Sequence, residues 1–389
     1  MPVETPAQTL PVGRLLAFTT AGFLAIMTET MPAGLLPQIG RGLGIGAALA
    51  GQMLTLYALG SVVAAIPVIA MTRNWNRRPL LLLAIGGLFV FNSVTALSAQ
   101  VAVTLAARFV AGMAAGVVWG LLAGYARRLA PVQLQGRALA IAGIGQPVAL
   151  ALGVPLGTWL GTLFDWRAVF WIMSAVALLL LVWVRVGIPD HPGQDKAARL
   201  PVARIAALPG IAPVLSVLFL WIAGHNILYT YIAPFLAAAA PGLRVDLVLL
   251  LFGVAACAGI WGVGLLVDRQ LRPLLLVSLS GFAMAALLLA IAAPSPVLIL
   301  TGVAAWGLTF GGAPTLLQTA LAEAADDHAD VAQSILVTVF NLAVAAGGIM
   351  GGLLVDHGRP AVLPWAVLVL AIVALAGARM IRRPRRRTS

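Results

Sequence analysis

Charge is scarce in this chain. Aspartate, glutamate, lysine and arginine together make up 9% of its 389 residues, against about a quarter in soluble globular proteins. With 61% hydrophobic residues, the composition excludes a water-soluble globule. Cysteine occurs once, as Cys257, which excludes an intramolecular disulfide and a cysteine-based metal cluster and leaves a helix-packing role. The four histidines are scattered, and neither a His-Glu-x-x-His pair nor paired intramembrane aspartates occur, so no metal set and no intramembrane enzyme is expected. The only lysine is Lys196, and Gly-x-x-x-x-Gly-Lys is absent, which argues against an ATP-driven pump. The longest polar stretch, about 187–207, is too short to hold a catalytic domain.

What the chain has instead is long, continuous apolar runs. About 20 such residues cross a bilayer as a helix, whereas membrane β-strands alternate apolar and polar residues in short segments. The runs predict an all-α membrane protein with twelve spans, at 15–37, 48–71, 80–99, 101–125, 138–163, 166–186, 208–238, 246–267, 273–293, 296–321, 331–355 and 361–381. The first follows a polar start and lacks a small-residue cleavage site, so it reads as a retained helix.

The net charge of +12 invites a nucleic-acid reading, and its distribution opposes one. Arg73, Arg77, Arg78, Arg127, Arg128, Arg137, Arg185, Lys196, Arg199, Arg204, Arg269 and Arg272 fall in alternate loops, on the same side as Arg14 and the tail from Arg379 onward. The other side has only Arg41, Arg167, Arg244 and Arg359. This bias predicts both termini in the cytoplasm. The basic tail reads as a topology anchor or as a contact for anionic lipid headgroups.

The two halves echo each other. Gly112 and Gly116 recur as Gly307 and Gly311, 195 positions on. Gly157, Gly161 and Asp165 recur with the same spacing as Gly348, Gly352 and Asp356, and Arg73 recurs as Arg269. Six spans per half give both halves one orientation, a parallel repeat about an axis along the membrane normal. The expected organisation is a six-helix bundle over 1–186, a linker over 187–207, and a second bundle with the basic tail over 208–389.

These features together resemble the major facilitator superfamily, in particular its twelve-helix drug/proton antiporter branch and the bacterial sugar- and nucleoside-efflux permeases within it. Glu29 followed by Gly34-Leu35-Leu36-Pro37 is similar to the acidic first helix of that branch. Thr72-Arg73-Asn74-Trp75-Asn76-Arg77-Arg78 sits where the family has Gly-x-x-x-Asp-Arg-x-Gly-Arg-Arg, but lacks the aspartate; the second half keeps it as Gly264-x-x-x-Asp268-Arg269-x-x-Arg272. Arg108 with Gly112 and Gly116 resembles the arginine-glycine motif associated with proton coupling. Gly145-Gln146-Pro147 through Gly153-Val154-Pro155-Leu156-Gly157 resembles the glycine-proline motif of antiporters, and Asp165-Trp166-Arg167 also matches the branch. The resemblance implies two bundles around a central cavity lined by the first and fourth helices.

Glu29 and Arg108 are the full charges deepest in apolar sequence. Charges at membrane depth are costly and mark proton or substrate paths. Counting 1.5 Å per residue from the span ends puts both about 20 Å from the cytoplasmic face, so they are expected to interact, directly or through water, as the proton-coupling pair. A static buried ion pair is the alternative. The position matching Glu29 in the second half is His225, which shares a helix face with Tyr229 and is flanked by Asn226 and Thr230. His225, Asn226 and Tyr229 are candidate cavity-lining residues, with helix packing as the alternative, and His225 is a conceivable second proton site. Trp119, Gln146 and Asn341 join them as further candidates. The amides, with Asn92 and Gln318, also suit helix-bridging roles. Arg73, Asp268, Arg269 and Arg272 are gating candidates, with Asp268 pairing across the loop to close the cytoplasmic side.

The expected function is efflux of a small organic molecule (drug, sugar or nucleoside-like) by proton antiport and alternating access. A proton symporter or uniporter for a small polar metabolite is the alternative. The protein is expected to act as a monomer in the lipid bilayer, with no cofactor beyond the proton gradient and no nucleic-acid partner.

Overall fold

The computed structural model describes residues 10–65, 68, 71, 72, 74–193, 210–325 and 329–381. Every regular element among them is helical. In hydrocarbon each backbone N–H and C=O must be satisfied within the segment, which a helix does and an open strand does not. Six helices form the first half: α1 (Val12–Leu43), α2 (Ala47–Ala65), α3 (Arg77–Leu97), α4 (Val101–Arg128), α5 (Val132–Leu163) and α6 (Trp166–Gly187). In the second half, α7 comprises Ile211–Thr230 and Ile232–Ala239. The run Val245–Ile291 holds two spans, α8 before and α9 after Gln270, whose φ of −134° and ψ of 36° break the helix ahead of Pro273. Then come α10 (Pro296–Ala325), α11 (Ala329–Asp356) and α12 (Leu363–Arg379). The described residues thus supply helices for the twelve crossings that the apolar runs predict, an even number that leaves both described ends on one side of the bundle. Most of the predicted linker, and Arg73 with it, falls outside the described residues.

The repeated glycines mark repeated packing. A Cβ on Gly112 would strike the Tyr57 carbonyl oxygen, and one on Gly116 would lie 2.7 Å from that of Ser61. In the second half Gly307 meets the carbonyl of Phe252 and Gly311 that of Ala256. All four correspondences share the 195-position offset, so α2 against α4 and α8 against α10 are one close-packed joint used twice. Small residues permit this approach without a Cβ between the backbones.

Contacts between the halves gather at the end opposite the termini. There the α2 Gln52 amide donates to the α7 Tyr231 hydroxyl at 3.3 Å and to the α11 Gly348 carbonyl at 3.4 Å. The Tyr231 hydroxyl donates to Gly348 O at 2.9 Å, and Thr55 of α2 packs on Gly348. Nearby, Gly253 of α8 lies against the Ala151 backbone of α5, and Leu249 of α8 against Gly34 of α1. At the terminus-bearing end, Gln135–Gly143 of α5 and Ala313–Ala325 of α10 pack chiefly on helices of their own halves. The bundle is therefore closed at one end and parted at the other.

Candidate functional site

Two prolines in α1 prepare the site. Pro32 has no N–H, so the carbonyl four residues back, that of Thr28, loses its helical donor. The Arg108 guanidinium, reaching from α4, donates to that carbonyl. The same turn is held twice more: the Tyr57 hydroxyl of α2 donates to Ala25 O at 2.8 Å, and the Asn92 amide of α3 to the Thr28 hydroxyl at 3.0 Å. Asn92 is fully buried and takes the helix-bridging role open to such amides. Three neighbouring helices thus support α1 where its own ladder is interrupted, as a broken membrane helix requires.

Arg108 is fully buried. Its guanidinium carbon stands 4.9 Å from the Tyr57 ring centroid and 5.6 Å from that of Phe170. A cation over an aromatic face gains electrostatic attraction that desolvation strengthens. Its Nε and one Nη have no hydrogen-bond partner in the protein. Glu29 follows Thr28 directly and is 8% exposed. It lies within electrostatic reach of Arg108 and Tyr57 in its own half and of Tyr229 in the other. Among the described residues the ion pairs closer than 4.0 Å or at it are Arg167–Asp165 and Arg244–Asp246, so Glu29 and Arg108 share a level without direct contact. The buried Tyr229 hydroxyl likewise lacks a partner. Arg108 and Tyr229, one in each half, thus keep buried polar atoms without a protein partner.

Across the interface, His225 sits in an aromatic box. Its ring stacks on Phe310 with centroids 3.7 Å apart and planes 4° from parallel, and stacks on Tyr229 at 5.1 Å. Phe252 and Trp306 close the sides at 5.6 and 5.3 Å. The Trp306 indole N–H donates to His225 Nδ1 at 3.2 Å. An indole can only donate, so Nδ1 is an acceptor and the ring is the neutral tautomer carrying its proton on Nε2. This geometry disfavours a second proton site at His225 and makes it a member of the aromatic box.

The other candidates divide. Asn226 and Asn341 turn their amide N–H groups back onto their own helices, to Ile222 O and Val337 O at 2.9 Å each. Each keeps a slight exposure of 7%. Trp119 is half-buried, its ring edge 3.6 Å from where a Gly22 Cβ would be, between α4 and α1. Gln146 is half-buried on α5, just before a π-helical turn at Ala149–Gly153 that lies between Pro147 and Pro155. Such single π turns are frequent at functional positions. Asp268 and Arg269 are exposed at the terminus-bearing end of α8, and Arg272 donates to Arg379 O at 3.2 Å. Asp268 is in no ion pair with a described residue in this closed-opposite state. Sequence reasoning did not reach Tyr57, Thr28, Phe252, Trp306 or Phe310. Pro32 four residues after Thr28 is the one signal that could have found the freed carbonyl.

The Major Facilitator Superfamily pattern matches residues 18–332 and 240–389. The chain is 30% identical over 367 residues to a Pseudomonas aeruginosa protein named transcription regulatory protein OpdE, covering 91% of this chain and 90% of that one. It is 30% identical to the purine ribonucleoside efflux pump NepI of Escherichia coli, over 85% of this chain and 84% of that one. A chloramphenicol efflux pump of Mycobacterium tuberculosis is 28% identical over 88% and 86%. Among solved structures, the inward-open form of the E. coli xylose transporter XylE superposes with a TM-score of 0.78 at 15% identity, covering 96% of this chain and 97% of that one. A D-xylose-proton symporter gives 0.79 at 16%, covering 97% and 99%. Twelve apolar helices in two repeated halves, a buried fourth-helix arginine bonded to a broken first helix, and these matches place the chain in the Major Facilitator Superfamily, as a multi-pass membrane transporter of small molecules and not an enzyme.

Proposed function

We propose that this chain exports a small organic molecule, of nucleoside, sugar or drug type, in exchange for protons, by alternating access in a bacterial inner membrane with both termini in the cytoplasm. The observation that carries the reading is a buried Arg108 bonded to the carbonyl of Thr28, the residue next to the buried Glu29, with no direct ion pair between the two charges. A carboxylate in a desolvated site next to a fixed cation is poised between its two protonation states. With Glu29 protonated, Arg108 stays on the Thr28 carbonyl. When the proton leaves, the carboxylate attracts the guanidinium, whose Nε and one Nη are without a protein partner. Cargo bound between this pair and the His225 wall then competes with the proton for one site. The efflux pumps among the relatives support the direction of transport. The positive-inside bias of the loops puts the parted end of the bundle toward the cytoplasm, where export begins.

The test is transport by purified protein in lipid vesicles under an imposed pH gradient, with inosine and chloramphenicol as probes. Wild-type protein is expected to move at least one probe when protons flow the opposite way. Glu29→Gln is expected to abolish pH-driven movement while leaving exchange of labelled for unlabelled probe. Undiminished pH-driven transport by Glu29→Gln would remove the coupling assignment, and probe and proton moving in one direction would favour symport.

A further inference from the structure

The loop before α3 lacks the carboxylate found in its counterpart near α9, yet it is not without one. The segment that leaves α6 folds back over the terminus-bearing end of the first half and brings Asp190 to the loop. Asp190 Oδ2 accepts from the Asn76 amide at 2.8 Å. Its Oδ1 accepts from the backbone N–H of Arg78 at 3.0 Å and from that of His191 at 2.9 Å. The backbone follows the carboxylate. The Arg77 N–H donates to His191 O at 2.9 Å, the Tyr125 hydroxyl to Pro189 O at 2.7 Å, and the Arg128 guanidinium to Pro192 O at 2.7 Å. The His191 ring stands edge-on to Tyr125 at 5.6 Å. Residues 188–192 are thus built into the first half rather than into a free tether.

The physical need for this is local. Helix α3 opens with Arg77 and Arg78, has no acid in its first turn, and receives no side-chain cap from Asn76. Cations at a helix N-terminus oppose the macrodipole, and the unbonded N–H groups there call for an acceptor. Asp190 supplies both the charge and the acceptor, as an N-cap delivered from 112 positions away. The opposing half carries the exposed Asp268 on the same side of the bundle, a second carboxylate able to compete for this basic end once the parted halves close.

We propose that Asp190 stands in for the missing loop carboxylate, strapping the start of the linker to the first half and holding the basic end of α3 from Asp268 while the terminus-bearing side is open. This assignment is independent of the cargo and of the proton. Breaking the strap frees the α3 end and favours closure.

The experiment uses full-length protein in lipid nanodiscs and needs no ligand. Hydrogen exchange of peptides spanning 76–80 and 188–193 is compared among wild type, Asp190→Ala, Asp190→Asn and the reciprocal swap Asn76→Asp/Asp190→Asn. In the swap the new amide donates to the new carboxylate and the Arg78 and His191 bonds persist, so all three hydrogen bonds return at unchanged net charge. Exchange in both peptides is expected to rise at least about tenfold in Asp190→Ala and to return to the wild-type rate in the swap, with α1 peptides unchanged throughout. If Asp190→Ala does not fold, Asp190→Asn against the swap makes the same comparison. Spin labels at Gly136→Cys and Gly264→Cys, with Cys257→Ser, report the opening. The short-distance population is expected to rise at least about threefold in the broken strap and to fall back in the swap. Wild-type exchange in the Asp190 variants, a swap that fails to restore protection, or a distance distribution indifferent to the strap would each overturn the proposal.

Discussion

On α2 the first half places Tyr57 beneath the Arg108 guanidinium; 195 positions later, on α8, the second half places Phe252 beside His225. The backbones around these two residues are the same joint, with a glycine on the partner helix pressed on each carbonyl. The chemistry differs because the position matching Arg108 is Val303, fully buried and apolar. Without a cation to balance it, an acid at the position of His225 would be an uncompensated buried charge, which is strongly destabilising. A neutral imidazole held by an indole N–H carries no such cost. One fold repeated twice thus hosts a half with buried charges and a half whose matching positions are aromatic and apolar. The packing of the joint is kept while the chemistry beside it differs.

The largest expected effect tests whether the charged half is what its buried arginine implies. Arg108→Ala leaves the Thr28 carbonyl unbonded at the Pro32 break and Glu29 without its cation. Probe transport in vesicles is expected to fall by at least about 100-fold, about 2.7 kcal/mol. Transport within about threefold of wild type would reduce the pair to packing. The second test asks whether the joint is one device used twice. Gly112→Leu and Gly307→Leu each force a side chain into a carbonyl of the facing helix. Both are expected to cost about 3 kcal/mol, at the upper end for overpacking, read as matched drops in Tm in detergent. A drop in one half only would mean that the resemblance of the two joints is superficial.

The sequence made the frame of this molecule legible because the signals are long. Apolar runs near 20 residues, a loop charge bias and a repeat at one offset gave twelve spans in two halves. That Arg108 meets α1 at the level of Glu29 followed from the helical rise alone. What could not be read was lateral: that Arg108 grips a backbone carbonyl rather than Glu29 depends on side-chain reach across three helices, and no spacing encodes it. The aromatic box escaped for the same reason, since Trp306 and Phe310 stand 81 and 85 positions from His225 and look like ordinary membrane packing until the bundle closes. Helices α8 and α9 are separated by the single non-helical residue Gln270, where the charged turn suggested a longer gap. Asp190 was hidden because a missing loop carboxylate gives no hint that another segment returns to supply it.

A third test sharpens the neutral half. His225→Phe keeps the stack on Phe310 but leaves the Trp306 indole N–H buried without an acceptor, a cost of about 2 kcal/mol in unfolding free energy. Adding Trp306→Phe removes the orphaned donor, and the double variant is expected to recover most of the loss, measured as a double-mutant cycle on thermal unfolding. The pH profile of vesicle transport is expected to be the same in His225→Phe as in wild type. A shifted profile would return a proton to His225 and erase the division between the halves.

The smallest effect concerns the seam that both halves share. Tyr231→Phe removes the hydroxyl that receives the Gln52 amide and donates to Gly348 O, while the ring still fills the space against Gly51 and Gly351. One hydrogen-bonded hydroxyl contributes about 1 kcal/mol, so the balance between the two access states is expected to move by about fivefold toward opening at the far end. The readout is the labelling rate of a cysteine placed at Thr55, beneath Gly348, by a membrane-impermeant thiol reagent in a Cys257→Ser background. The direction matters more than the size. A hydroxyl that merely packs would leave the labelling rate unchanged, whereas a hydroxyl that helps hold the far end shut would raise it, and the charged and neutral halves would then be locked against each other through a polar contact made by neither of their central sites.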